Sequence, residues 1–362
     1  MWIVDGLLNA ARMAWEVWWA LILGFALSAV VQAVVPRARL EQALGGRGPR
    51  EVGLATALGA ASSSCSYAAI AIAKSLFAKG ASLVSAMTFQ FASTNLVFEL
   101  GLVLWLFLGW RFTLAEFVGG IVLILLMWVA LRALVSPAEE ETVRAHAAAA
   151  ASGHVHPTAT DVALNFRSDL QMLWKELIGG FLIAGYVSLL PAGFFNALFI
   201  THAWGPLRVV ENAVVGPLVA ALAFVCSIGN IPLAAVLWAG GISFGGVIAF
   251  IFADLIIVPL VIAYRKYYGA RFAAMLTAVM FGAMVVAALI VDGLFSLLGL
   301  VPKHRPSIAS VAERAVTWNY TSVLDILFGV VFVALIALTF RPSARAQMHH
   351  HHHHHHHHAE HA

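Results

Sequence analysis

Apolar runs of about twenty residues, the length an α-helix needs to cross roughly 30 Å of hydrocarbon, recur from one end of this chain to the other. They fall at about 15–35, 51–77, 81–109, 117–135, 173–190, 214–238, 242–264, 272–298 and 323–340. With 61% hydrophobic and 11% charged residues among 362, and a mean hydropathy of +0.88, the chain lacks the polar surface that a soluble domain of this size requires. The fold class this predicts is an all-α polytopic membrane protein. About nine transmembrane helices are expected, in two homologous repeats of four plus one extra helix. The formal net charge of +3 is too small to imply a nucleic-acid partner. Two cysteines inside apolar segments argue against a disulfide framework. No cleavable leader is evident, because the first apolar run is long and no small-residue cleavage site follows it.

The expectation of repeats rests on one stretch that occurs twice. Cys65-Ser66 and Cys226-Ser227 open segments that align without a gap, with identical pairs at Ala73/Ala234, Leu76/Leu237, Ala78/Ala239, Gly80/Gly241, Ser82/Ser243, Phe89/Phe250, Phe91/Phe252 and Ala92/Ala253. The two cysteines are the only ones in the chain. Duplicated membrane proteins often bind ligands where their halves meet. Each copy also carries helix-weakening residues. Gly59 and Ser62, Ser63, Ser64 and Ser66 surround the first cysteine, and Gly229, Asn230 and Pro232 follow the second. Gly, Ser and Pro at bilayer depth allow close packing or a break that exposes backbone to a cavity, so interrupted helices are expected at both Cys-Ser motifs. Whether the repeats are parallel or inverted stays open, since one re-entrant segment per half would reverse the count.

The organisation that follows is a first repeat over 1–135, a polar linker over 136–167, a second repeat over 168–299, and a loop with the last helix over 300–347. The ten consecutive histidines within 348–362 read as a purification tag. Residues 1–13 read as an amphipathic lead-in, and 37–50 as a basic connector lying on the membrane surface.

Charged groups at bilayer depth cost at least about 2.5–3.5 kcal/mol, so each needs a partner or a task. Glu99, one helical turn beyond Asn95, and Asp254, followed by Pro259, are read as a proton- or cation-titrating pair along the route. Asp292 is a weaker candidate near its span end. The proposed pathway comprises Cys65, Ser66, Ser64, Gln90, Ser93, Asn95, Glu99, Cys226, Ser227, Asn230, Pro232 and Asp254. If the halves pack about a pseudo-two-fold axis, Cys65 and Cys226 face each other. Such a thiolate pair suits a soft metal or metalloid. Small buried hydrophobes are the plainer role for both. The nucleotide-binding pattern Gly-x-x-x-x-Gly-Lys-Ser/Thr is absent, and no histidine in a span could serve a serine nucleophile as base. The chain is therefore read as a non-enzyme without a cofactor.

These motifs resemble a bacterial predicted-permease family that contains the ArsP efflux permeases for trivalent organoarsenicals and the YraQ-type permeases. The resemblance rests on Cys65-Ser66 with Lys79-Gly80-Ala81-Ser82, on Cys226-Ser227-x-Gly-x-x-Pro232 with Gly240-Gly241-Ile242-Ser243, and on Phe252-Ala253-Asp254. It covers most of 51–135 and 211–265. ArsP-like members carry a second cysteine, a glycine and a proline where this chain has Tyr67, Ala68 and Ala71. The run Ala92 to Glu99 resembles the YraQ-type subgroup. The resemblance implies an inner-membrane secondary permease exporting a soft, thiol-reactive solute. Two alternatives stand beside it: a permease for an organic or sulfur-containing metabolite with structural cysteines, and a non-transporting membrane scaffold. The lipid bilayer and a small-molecule or metal substrate are the expected partners, with self-association into a homo-oligomer left open.

Overall fold

The computed structural model describes residues 2–34, 37–62, 65–149, 158–187, 205–223, 227–305 and 320–340, with the single residues 189, 194 and 199. Regular structure among these is helical throughout. The helices are α1 Trp2–Val34, α2 Arg37–Leu44, α3 Pro49–Ser62, α4 Ser66–Ala78, α5 Leu83–Asn95, α6 Phe98–Leu108, α7 Trp110–Leu134, α8 Pro137–Ala149 and α9 Ala159–Val187. After these come α10 Gly205–Ala223, α11 Ser227–Ala239, α12 Phe244–Phe252 with a 3-10 turn Ala253–Leu255, α13 Val258–Tyr268, α14 Ala270–Leu297 and α15 Tyr320–Leu338.

The 51–77 run is not one crossing. Ser82, which opens α5, donates its backbone N–H to Leu44 O at 2.8 Å and its hydroxyl to Gly46 O at 2.8 Å. The start of α5 therefore lies beside the start of α3, and α4 must run back antiparallel to both. At 1.5 Å per residue, the fourteen residues of α3 reach about 21 Å, short of a roughly 30 Å core. The sequence window saw enough apolar length for a span; a helical hairpin uses the same length to enter and return. The 214–238 run behaves likewise. Ser243 N, ahead of α12, donates to Asn212 Oδ1 of α10 at 2.8 Å, so α11 returns the chain to its starting end.

The local geometry of the two Cys-Ser stretches agrees at several positions. Helices α4 and α11 have thirteen residues each and begin at the serine after each cysteine. Ser82 and Ser243 both cap the next helix, accepting from Ser85 N and Gly246 N. Gly80 and Gly241 turn the chain at φ 109° and 105°, a backbone region that side chains bearing a Cβ avoid.

After each hairpin comes an interrupted crossing. Helix α5 ends at Asn95 and α6 starts at Phe98, and both run antiparallel to α7: Thr113 Oγ1 donates to Gly101 O at 3.2 Å, and Gly120 faces Asn95 and Leu96. In the second copy α12 with its 3-10 turn and α13 are bent by 42°. Pro259 sits in the first turn of α13, where its missing N–H costs nothing, so the break falls just before it.

Aromatic contacts show how the copies are oriented. The base of the first hairpin meets the end of α13, with the Phe77 and Tyr268 rings 5.9 Å apart. The base of the second meets the start of α7, with Phe112 at 5.2 Å from Trp238 and 4.8 Å from Phe244. The hairpins thus enter from opposite ends of the molecule, and their tips meet inside it. Helices α1, α9 and α15 pack alongside. Gly24 of α1 approaches Ala68 so closely that an added Cβ would stand 1.9 Å from the alanine Cβ.

Among the described residues, three helices are long and apolar enough to cross a membrane each: Trp110–Leu134, Gly205–Ala223 and Ala270–Leu297. The bent pair Phe244–Leu255 and Val258–Tyr268 passes together. Three further expectations change. The lead-in and first span form one helix, α1. The segment 136–167 contains α8 and the first residues of α9, because Glu140 and Arg144 of α8 are tied into the hairpin base. Finally, Asn95 and Glu99 do not share one helical face, since the interruption at 96–97 separates them.

Candidate functional site at the meeting of the hairpin tips

Three polar side chains close the space between the tips. Asp254 Oδ2 accepts from Ser66 Oγ at 2.9 Å and from Ser227 Oγ, and the two hydroxyl oxygens lie 3.2 Å apart. Ser66 is the first residue of α4 and Ser227 the first of α11. The carboxylate therefore faces two helix N-termini, whose unpaired N–H groups and macrodipoles favour negative charge. It comes from the 3-10 turn that interrupts the following crossing. Asp254 is 1% exposed and Ser66 0%.

The surrounding residues extend the site. Gln90 donates to Tyr264 Oη, which in turn donates to Leu255 O at 3.1 Å, so Gln90 reaches the turn that carries Asp254. Asn230 lies one turn along α11 from Ser227, buried, with neither polar side-chain atom hydrogen-bonded. Asn95 is 2% exposed at the end of α5 and donates to Phe91 O at 3.2 Å. Ser93 is turned back on Gln90 O at 2.9 Å, a local bond within its own helix. Cys65 holds the N-cap position of α4 and is half-buried. Glu99 and Pro232 are placed by backbone only, in the first turns of α6 and α11; Ser64 and Cys226 lie outside the described residues. Among the described residues no three His, Cys, Asp or Glu side chains gather as a metal site.

A family model described as a predicted permease, of ArsP type, matches residues 7–293. The chain belongs to this permease family. A Mycobacterium tuberculosis protein that carries a provisional permease name is 44% identical over 328 residues, covering 84% of this chain and 80% of that protein. No solved structure matches.

Several groups in the permease escaped the sequence reading. Glu116 is 0% exposed in α7, just ahead of the expected span start. Lys74 of α4 donates to Asp169 of α9 at 3.2 Å, with side chains 1% and 2% exposed, and its ammonium lies 5.0 Å from the Tyr267 ring centroid. A lysine inside an apolar run was the available signal. Arg144 and Arg305 form a matched pair at the same offset as the cysteines (65 to 226, 144 to 305). Arg144 Nη1 donates to Phe77 O and Ala81 O; Arg305 Nη1 donates to the equivalent Trp238 O and Ile242 O. Each guanidinium also stacks on the aromatic residue at the hairpin base, 4.5 Å from Phe77 and 3.9 Å from Trp238. Each hairpin base also carries an acid at a helix N-terminus: Glu140, paired with Arg144, accepts from Leu83 N at 2.9 Å, and Asp292 accepts from Gly245 N at 2.8 Å. Asp292 thus fastens a hairpin base, away from the junction of the tips.

Proposed function

We propose that this permease is a secondary transporter of the bacterial inner membrane, built as two inverted repeats, that exports a soft, thiol-reactive solute such as a trivalent organoarsenical or heavy-metal species. The observation that carries the reading is the contact of Ser66 with Ser227, because each directly follows one of the chain's two cysteines. Hairpins that dip inward from opposite ends, each followed by a broken crossing, suit a central site reached alternately from either side. Thiolates at Cys65 and Cys226 would grip a soft cation or metalloid, with Gln90, Asn95, Asn230 and Asp254 as the polar lining.

The test is resistance to phenylarsine oxide in a bacterial host stripped of its own arsenical pumps. Cys65→Ser and Cys226→Ser should each remove the resistance that the parent chain confers, at equal membrane abundance. Full resistance in the double variant sinks the thiol-ligand reading.

One feature favours a second reading, a permease for an organic or sulfur-containing metabolite with structural cysteines: the junction is closed by hydroxyl and carboxylate oxygens. In that case flux in reconstituted vesicles survives loss of both sulfurs and is lost in Asp254→Asn.

A further inference from the structure

Glu116 lies in the second turn of α7, fully buried, and neither of its carboxylate oxygens has a hydrogen-bond partner. Its direction follows from its neighbours one turn on. Gly119 packs against Phe252 and Val291, and Gly120 against Leu96 and Asn95. Residues three and four apart share a helix face, so the face bearing Glu116 looks onto the interruptions at 96–97 and 256–257. Asp254 lies in the 3-10 turn that directly follows Phe252, the residue against which Gly119 packs. Its Oδ2 is occupied by the two serines, while Oδ1 is buried without a partner. Helix C-termini at Asn95 and Leu255 bring carbonyl ends, with partial negative charge, to the same depth.

Nothing on the described residues balances this concentration of acceptors. No ion pair there involves Glu116 or Asp254, and the buried ammonium of Lys74 is engaged by Asp169. Of the other titratable groups on the surrounding helices, Tyr264 is bonded to Gln90 and Leu255, Tyr268 stacks on it at 6.3 Å, and Tyr267 lies against the Lys74 ammonium. Arg265 and Lys266 sit in the last turn of α13, Arg111 and Arg132 near the two ends of α7, and Arg271 at the start of α14. Asp292 is at a hairpin base, and Glu99 is placed by backbone only. Ionised carboxylates in an apolar interior are costly unless neutralised, and no basic side chain among the described residues supplies the balancing charge.

We propose that Glu116 and Asp254 form the coupling-cation site of this permease, taking up a proton or a sodium ion beside the junction of the tips. The proposal rests on the transporter reading but on no particular substrate. Asp254 is also what holds Ser66 and Ser227 together, so a cation on its free oxygen competes with, or reinforces, the bonds that join the two hairpins. Occupancy of the site and closure of the tips are thereby one equilibrium, which is how an ion gradient can drive a solute.

The test uses the purified full chain without any solute. Thermal unfolding is followed in choline chloride and in sodium chloride at one ionic strength, and in choline chloride from mildly acid to mildly alkaline pH. For sodium, the midpoint should rise saturably by several degrees on addition of the ion at alkaline pH. For protons, the midpoint should fall as pH rises, with or without sodium, because emptied carboxylates repel each other and lose hydration. In either case Glu116→Gln abolishes the response and is at least as stable as the parent in alkaline choline chloride. Asp292→Asn, at a hairpin base, keeps it. If Glu116→Gln does not fold, Glu116→Asp should keep the response with a displaced midpoint concentration or pH. A parent chain that answers to neither cation, a response that survives in Glu116→Gln, or an undisplaced one in Glu116→Asp overturns the proposal. Loss of arsenical resistance in the cysteine variants reads the substrate separately, so the two ideas fail independently.

Discussion

Removing the Arg144 guanidinium should unfasten the base of the first hairpin. Arg144 is 8% exposed; it donates to Phe77 O, to Ala81 O at 2.7 Å and to Glu140 at 3.0 Å, and it covers the Phe77 ring. In Arg144→Ala two carbonyls lose their donor, at about 1–3 kcal/mol each where water cannot replace it. Glu140, 5% exposed, is left with Arg47 as its ionic partner. The expected loss of stability is about 2–5 kcal/mol, set mainly by the two orphaned carbonyls because Glu140 stays paired. Arg305 makes the same two carbonyl bonds at an exposed position, so water substitutes more easily and Arg305→Ala should cost only about 1–2 kcal/mol. Arg144→Lys keeps the charge but not the fork that spans two carbonyls, and it should fall between alanine and the parent. Equilibrium unfolding in detergent, followed by circular dichroism across a denaturant series, measures all three. An Arg144→Ala loss below about 1 kcal/mol, the level of an ordinary exposed pair, would refute the clasp, as would a larger loss for Arg305→Ala.

Two further substitutions probe how the hairpins are seated. An added methyl in Gly59→Ala would stand 2.4 Å from Phe89 O and 2.8 Å from Ala92 Cβ, so α3 and α5 must separate; overpacking of this kind costs about 1–3 kcal/mol, read as a lowered unfolding midpoint. The same change at Gly53, which meets nothing within 4 Å, should be silent or slightly stabilising. Lys74→Met should destabilise by about 3–5 kcal/mol because Asp169 is left charged and buried. Adding Asp169→Asn to it should restore part of that loss in a double-mutant cycle, whereas additive losses would show that the pair is not coupled.

By itself the sequence determined that this chain resides in a membrane, because so little charge cannot clothe a soluble surface of this size. It also placed the first interruption, since Gly and Ser crowd around Cys65, whereas Gly229, Asn230 and Pro232, read as a break after Cys226, lie within the continuous helix α11. The likeness of the two Cys-Ser stretches was legible in their gapless alignment, and both carry a serine cap and a positive-φ glycine at matching places. Three things waited for the tertiary structure. Hydropathy measures apolar length but not the direction in which the chain leaves a break, so the 51–77 run read as a crossing although Ser82 returns to Leu44. Residues beyond the last apolar alignment looked like linker and loop, yet Arg144 and Arg305 hold the same two carbonyls in each copy, a fact visible only where their partners are. Charge at depth was legible one residue at a time. That Asp254 joins Ser66 to Ser227, and that Glu116 faces the same breaks, depends on contacts between segments far apart in the chain, which packing decides and local sequence does not encode.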